Sequence, residues 1–205
     1  IQTNQGNYTG TIETGQAGES IPSGTATKLT EAFAGGMPST WEIEDKGTGG
    51  GAASTWTTSN PGNRTANLPI AEPFAIVDSQ AAGAGADQDE RLILPTLDLT
   101  GAVSARLEWD AVFVDLAATD ERGDVDVLSS NTGGDAVTVF RYISNSANPD
   151  HRSIDITNEA AGADDVVITF RYNGGVNSRW WIVDNIRVTY VYPASCQLIG
   201  CASTT

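Results

Sequence analysis

Asp184 stands among large apolar residues in the stretch SRWWIVDNIRVTY, residues 178–190. Read as a strand, the stretch puts Trp180, Ile182, Asp184, Ile186, Val188 and Tyr190 on one side, and Trp181, Val183, Asn185, Arg187 and Thr189 on the other. The first set is the apolar one, so the alternation buries the carboxylate. An uncompensated charge in such surroundings is costly, and the group must be protonated, paired with a cation or bound to a metal. Arg171 and Arg179 are candidates for the ion pair.

Other chemistry is sparsely provided for. The single histidine, His151, lies in NPDHR beside Pro149 and Asp150, and is expected in a surface loop. No serine occupies a Gly-x-Ser-x-Gly elbow, and a zinc hydrolase takes two or three histidines. GTGGGA (47–52) lacks the lysine and the following helix of a phosphate loop, so it reads as a flexible turn. Two carboxylates can cut a glycosidic bond, yet no pair among the 26 acidic residues stands out by its surroundings. The spacing of an EF-hand is absent. A non-catalytic module is the expectation.

The elements that must position Asp184 read as strands. Short alternating segments separated by Gly, Asn, Asp and Pro appear from residue 31 onward: 74–79, 91–99, 104–116, 123–130, 136–144, 152–157, 164–173 and 178–192. Within 104–116, Ala105, Leu107, Trp109, Ala111 and Phe113 oppose Ser104, Arg106, Glu108 and Asp110, the signature of a half-buried strand. No helical period of any length is present. Two antiparallel sheets with facing apolar sides, an all-β sandwich, satisfy this pattern. Three regions follow: a polar N-terminal arm (1–30), the sandwich (31–192) and a tail (193–205).

The arm, rich in Gly and Thr, cannot form a core alone. It reads either as a flexible leader or as an extended segment whose Tyr8, Thr9, Thr11 and Ile12 add a strand to a partner. Trp41, Trp56 and Trp109 fall where a core needs bulk. Trp181, opposite Asp184, is expected to be exposed or half exposed, for stacking on a sugar or packing in a protein interface or against the N-terminal arm. Cys196 and Cys201 are spaced to close a small disulfide loop in an oxidising compartment. Asn7 and Asn63 begin glycosylation acceptor triplets. With a net charge of −15 and only two lysines, Lys28 and Lys46, the chain repels nucleic acid and anionic membrane. Its longest apolar runs are far too short to span a bilayer. The chain begins at Ile1 without a charged and apolar leader and reads as a mature or excised extracellular or cell-surface protein.

The order of segments resembles the MAM-like, cleaved-adhesin and choice-of-anchor type of jelly-roll domain. The likeness runs through EAFAGGMPSTWEIEDKGTGGGAASTW (31–56), with its acid and Phe before Pro-x-x-Trp and a second Trp after a glycine-rich loop. It continues through AIVDS, DERLILPTLDLTG and GDVDVLSSNTGGDAVTVFRY, and closes with RSIDITNEAAGADDVVITFRYNGGVNSRWWIVDNIRVTY. Val137 or Val139 stands where that family usually has an aromatic, and the four cysteines of animal MAM domains are missing, which favours a microbial surface protein.

The resemblance implies a jelly roll with a structural calcium ion held by Glu31 and Asp184. Calcium takes six to eight oxygens. Asp78 and the run Asp87, Asp89, Glu90 are further candidate ligands, because the loop AAGAGADQDE is glycine-rich enough to turn carbonyls inward. The expected function is structural or adhesive, with self-assembly into a filament or surface layer through the arm. The alternative is a carbohydrate-binding module of a secreted enzyme, which requires aromatic side chains gathered on a solvent-facing surface.

Overall fold

The computed structural model describes residues 20–21, 24–49, 51, 54–116, 121–175, 178–193 and 195–196. Tyr8, Thr9, Thr11, Ile12, Asn7 and Cys201 lie outside these residues, as does the side chain of Cys196. The chain divides into two compact units, Ile1–Ala26 with Val191–Thr205, and Thr27–Tyr190. In the first, β1 (Ser20–Ile21) pairs antiparallel with β12 (Ser195–Cys196).

The remaining strands are β2 (Gly24–Glu31), β3 (Glu42–Asp45), β4 (Ala75–Asp78), β5 (Gln88–Ile93), β6 (Ser104–Val114), β7 (Arg122–Leu128), β8 (Val137–Tyr142), β9 (Asp150–Asp155), β10 (Val167–Gly174) and β11 (Trp180–Tyr192). They form two five-stranded sheets, one ordered β3-β5-β10-β7-β8 and the other β2-β11-β6-β9 with β4 also on β11. The fold is an all-β, two-sheet sandwich. Between β5 and β11 the chain crosses from sheet to sheet five times, staying in one sheet only from β7 to β8.

Strands β4 and β6 to β11 fall within about three residues of the segments read from alternation, whereas β5 ends at Ile93, well short of the segment 91–99. Strand β2 lies largely inside the segment assigned to the arm, because GTATKLTE offers few large apolar groups to mark it. His151 is in β9, not in a loop, where it faces Asp110 across the sheet.

The core follows the period of two. Ile168, Phe170 and Tyr172 of β10 point inward, as do Val125 and Val127 of β7, and Leu107, Trp109, Ala111 and Phe113 of β6. Trp181 is fully buried at the centre, with Trp56 at 5.4 Å, Tyr142 at 5.6 Å, Phe170 at 5.7 Å and Phe113 at 6.0 Å between ring centroids. Gly123 makes room for it: a Cβ there would lie 2.9 Å from the Trp181 ring. Burying a tryptophan of this size is worth about 5 kcal/mol.

This placement corrects the expectation that Trp181 is an exposed contact residue. Alternation alone put it on the solvent side, but both faces of β11 are covered here. Ile182 packs with Ile76 and Val112 of the neighbouring strands and with Ile70 and Phe74, a second small core on the outer side of the sheet.

Candidate functional site

The alternation that placed Asp184 with Ile186 and Val188 breaks at Asn185, whose backbone is left-handed (φ 52°). Up to that point the even residues Ile182 and Asp184 face outward and Trp181 and Val183 inward. After it Ile186 and Val188 take over the inner face. Such an extra residue is a bulge, and Asn tolerates it because its short polar side chain can bond locally. Asn185 Nδ2 donates to Asp110 Oδ2 at 2.9 Å and to the Pro69 carbonyl at 3.2 Å.

Asp184 is therefore buried outside the main core, under the segment that follows Pro69, with 2% exposure. Its Oδ1 accepts from the Asn185 N–H at 2.8 Å and its Oδ2 from the Ala71 N–H at 3.1 Å. Burial raises its pKa above the ordinary carboxylate value. The two N–H groups oppose the rise, and the charges of Asp110 and Glu31 add to it. Neither arginine expected as its partner is there: Arg171 belongs to the other sheet and pairs with Asp89, and Asp184 forms no ion pair among the described residues.

Glu31 ends β2 and accepts from the Phe33 N–H at 2.5 Å. Asp110 is nearly buried and faces His151 Nδ1 at 2.9 Å. Glu31, Asp110 and Asp184 thus lie within electrostatic reach on one side of the β2-β11-β6-β9 sheet. Among the described residues no three Asp, Glu, His or Cys side chains converge as a ready cage. A calcium ion here would draw its remaining oxygens from carbonyls and water, which the carboxylates' remaining lone pairs leave room for.

The other expected ligands are engaged elsewhere. Asp78 is buried at the end of β4, where Arg64 Nε and Nη2 reach its two oxygens at 2.6 and 2.9 Å and the Ala81 N–H caps onto it at 2.9 Å. Asp89 takes Arg171 in the same two-pronged way at 2.6 and 3.0 Å. Burial works to raise the pKa of Asp89, and the Arg171 bonds outweigh it to give a net lowering. Asp87 is exposed, and its main chain pairs with Thr48. Asn63 is exposed in a turn.

On the outer face of the five-stranded sheet β3-β5-β10-β7-β8, strand register sets five charged residues in one row: Glu44, Arg91, Arg171, Asp124 and Arg141. Arg91 reaches Glu44 at 3.5 Å, and Asp124 accepts from Arg141 at 3.0 Å and from Arg122 at 3.4 Å. The next row is Glu42, Ile93, Thr169, Asp126 and Thr138. A groove of ≈ 380 Å³ runs over Ile93, Leu128, Val167, Thr169 and Arg171. Neither row holds an aromatic residue.

The tryptophans are occupied. Trp56 and Trp109 are buried, Trp41 packs edge-on against Phe33 at 5.5 Å, and Arg64 covers Trp180 at 3.9 Å. The charged row went unread in the sequence because it exists only across strands. Its signal is the alternation of charges at 89 and 91, 122 and 124, and 171, which needs the register to be assembled.

No protein-family model matches the chain, and no curated protein matches it significantly. Solved structures do. The K3 cleaved adhesin domain of Lys-gingipain from Porphyromonas gingivalis W83 is similar with a TM-score of 0.59 and 22% identity, covering 81% of this chain and 99% of that one. The K1 cleaved adhesin domain of the same protein gives 0.54 and 20%, covering 80% and 97%. TmCBM61, solved with β-1,4-galactotriose, gives 0.50 and 14%, covering 82% and 99%. The shared property is the sandwich fold. Among the described residues no helix is long and apolar enough to cross a membrane.

Proposed function

We propose that the chain is an extracellular, non-catalytic adhesive module whose contact surface is the outer face of the β3-β5-β10-β7-β8 sheet with its open β8 edge. The observation that supports this most is the cross-strand row Glu44, Arg91, Arg171, Asp124 and Arg141 beside an aliphatic groove. Mixed charge next to aliphatic surface suits a protein partner, whereas the tryptophans a sugar would stack on are turned inward or covered. Among the described residues strand β8 ends its sheet, with Val137 at 37% and the following Ile143 at 68% exposure. An end strand offers unpaired backbone groups to an added strand.

In this reading the partner is a second copy, and residues 8–12 of its arm supply the added strand. Residues 1–19 carry only Glu13 and Glu19, so this segment can approach a body whose chain totals −15 without strong repulsion. A head-to-tail contact of this kind builds filaments when the rotation does not close. In this reading calcium held by Glu31 and Asp184 stabilises the sheet that backs this surface, and the burial of Asp184 without a cationic partner among the described residues supports that role.

Glycan recognition is the second reading, supported by the paired Arg and Asp side chains along the groove, which can hydrogen-bond sugar hydroxyls. Sedimentation velocity and negative-stain microscopy of the chain, with and without residues 1–19, test the assembly reading. Long particles that vanish on truncation support it. A monomer in both cases, with binding on a glycan array, replaces it with the second.

A further inference from the structure

The charges on the outer face of the β3-β5-β10-β7-β8 sheet are complementary to a reversed copy of themselves. Along the row Glu44, Arg91, Arg171, Asp124 and Arg141 the signs read minus, plus, plus, minus, plus. Turned end for end and laid on a second copy, the row brings Glu44 to the copy's Arg141 and Arg91 to its Asp124, and each contact occurs twice. Arg171, in the middle, meets its own counterpart. Both oxygens of Asp89 already hold that guanidinium, at 2.6 and 3.0 Å, so the one like-charge contact of the row lies between neutralised groups.

The rows on either side keep the same rule. On one side Asp89, Asn173 and Arg122 are aligned across β5, β10 and β7, and reversal sets Asp89 against Arg122. On the other, reversal sets Glu42 against Thr138, and Asp126 against Ile93. Asp126 there already accepts from the Thr138 hydroxyl at 2.7 Å. No acid meets an acid in any of the three rows. Beyond them Val167 of β10, beside Leu128 of β7, falls on its own counterpart, apolar on apolar.

Only one orientation does this. Two copies placed face to face in a closed pair are related by a two-fold axis lying in the plane between them. An axis parallel to β10 reverses the order of strands and keeps each row at its own level. An axis at right angles to the strands instead lays Glu44 over Glu44 and Asp124 over Asp124, and the faces repel. Packed sheets keep their strands within about 30° of each other, so row ends about 10 Å from the axis miss by about 5 Å, a gap that arginine and glutamate span.

This face is also where an acidic chain can approach its own kind. Four of the 11 basic residues, Arg91, Arg122, Arg141 and Arg171, stand in these rows against five of the 26 acids, so a body of charge −15 is here nearly neutral. Arg141 gives Nε and Nη2 to Asp124, which leaves Nη1 for a second carboxylate, and its side chain is 50% exposed.

We propose that two copies pair face to face through this sheet about a two-fold axis along β10, with Glu44 of each against Arg141 of the other. This pairing rests on the reading of the face as the contact surface, and not on strand addition by the arm, which uses the backbone edge of β8.

Glu44→Arg and Arg141→Glu in the full chain test it, because positions 44 and 141 lie on opposite edges of the sheet and cannot compensate within one copy. Sedimentation velocity over a concentration series should show association about tenfold weaker in each single variant, since each puts two like-charge contacts into the pair. An equimolar mixture of the two variants should associate as the parent does: one copy then presents two arginines and the other two glutamates. The double variant in one chain should recover likewise. Should either charge reversal fail to fold, Glu44→Gln and Arg141→Gln decide instead, each with association about threefold weaker. Association unchanged in the single variants but lost on removing residues 1–19 overturns the face-to-face pair and leaves the arm as the link. Association weakened in both and not recovered by mixing overturns the two-fold geometry while leaving the face a contact surface. A parent that stays monomeric throughout the series overturns the pairing outright.

Discussion

Replacing Asn185 tests whether the bulge in β11 is what carries Asp184 out of the main core. The side chain makes two hydrogen bonds, to the buried carboxylate of Asp110 at 2.9 Å and to the Pro69 carbonyl at 3.2 Å. Losing the first costs about 1.5 kcal/mol or more because the acceptor is charged, and losing the second about 1 kcal/mol. Alanine must also hold φ near 52°, which adds about 1 kcal/mol. Asn185→Ala is therefore expected to destabilise by about 3.5 kcal/mol. Glycine adopts the left-handed backbone freely but gives more freedom to the unfolded chain, so Asn185→Gly should cost about 1 kcal/mol less than alanine. In a domain of this size each kcal/mol moves Tm by about 2–4 °C, which puts Asn185→Ala about 10 °C below the parent. Urea and thermal unfolding followed by tryptophan fluorescence give both numbers, since Trp181 reports from the core. Equal stabilities for the two variants, or losses below about 0.5 kcal/mol in both, would refute the bulge argument.

With divalent ions removed, folded Glu90 keeps a proton between its ordinary pKa of 4.5 and about 7 that the unfolded chain has already released. Stability should then fall as pH rises through that window, and Glu90→Gln should flatten the slope; unfolding midpoints at several pH values measure it. Gly47→Ala forces a Cβ to 2.1 Å from a backbone carbonyl oxygen, and a loss of about 2–4 kcal/mol is expected by denaturant titration. Trp181→Ala removes the hub of the aromatic core and should cost about 3–5 kcal/mol, with the near-ultraviolet circular dichroism collapsing. Asp184→Asn should raise Tm in chelator, where the buried charge is a penalty, and lower it relative to the parent in calcium. The same sign in both conditions would remove calcium from the Glu31 and Asp184 site.

The sandwich was legible because half-buried strands alternate, and β6, β7 and β10 do so cleanly. Strand β2 escaped notice for the opposite reason: GTATKLTE is polar on both sides and is held by its neighbour rather than by its own apolar groups. The functional surface was read less well. Asp184 was rightly singled out as a buried acid, but its surroundings were misjudged, since one left-handed residue reverses the faces of everything after it and no period reveals such a residue in advance. Trp181 faces the main core because it precedes the reversal at Asn185, and Ile182, on the opposite face, is buried all the same because it packs with Ile70, Phe74, Ile76 and Val112. Asp78 and Asp89 looked like free carboxylates because Arg64 and Arg171, their partners, are distant in sequence, 14 and 82 residues away. Tyr8, Thr9, Thr11 and Ile12, and a bond between Cys196 and Cys201, rest on residues or side chains beyond those described.

Hydrogen exchange on the associated chain, compared with the same chain lacking residues 1–19, examines the proposed contact surface most directly. The account predicts new protection at backbone amides of Val137–Tyr142 on β8 in the full chain, lost on truncation and strengthened as salt screens the acidic bodies. Exchange at β8 that is the same in both forms, or protection confined to β9 at the far edge of the other sheet, would contradict it.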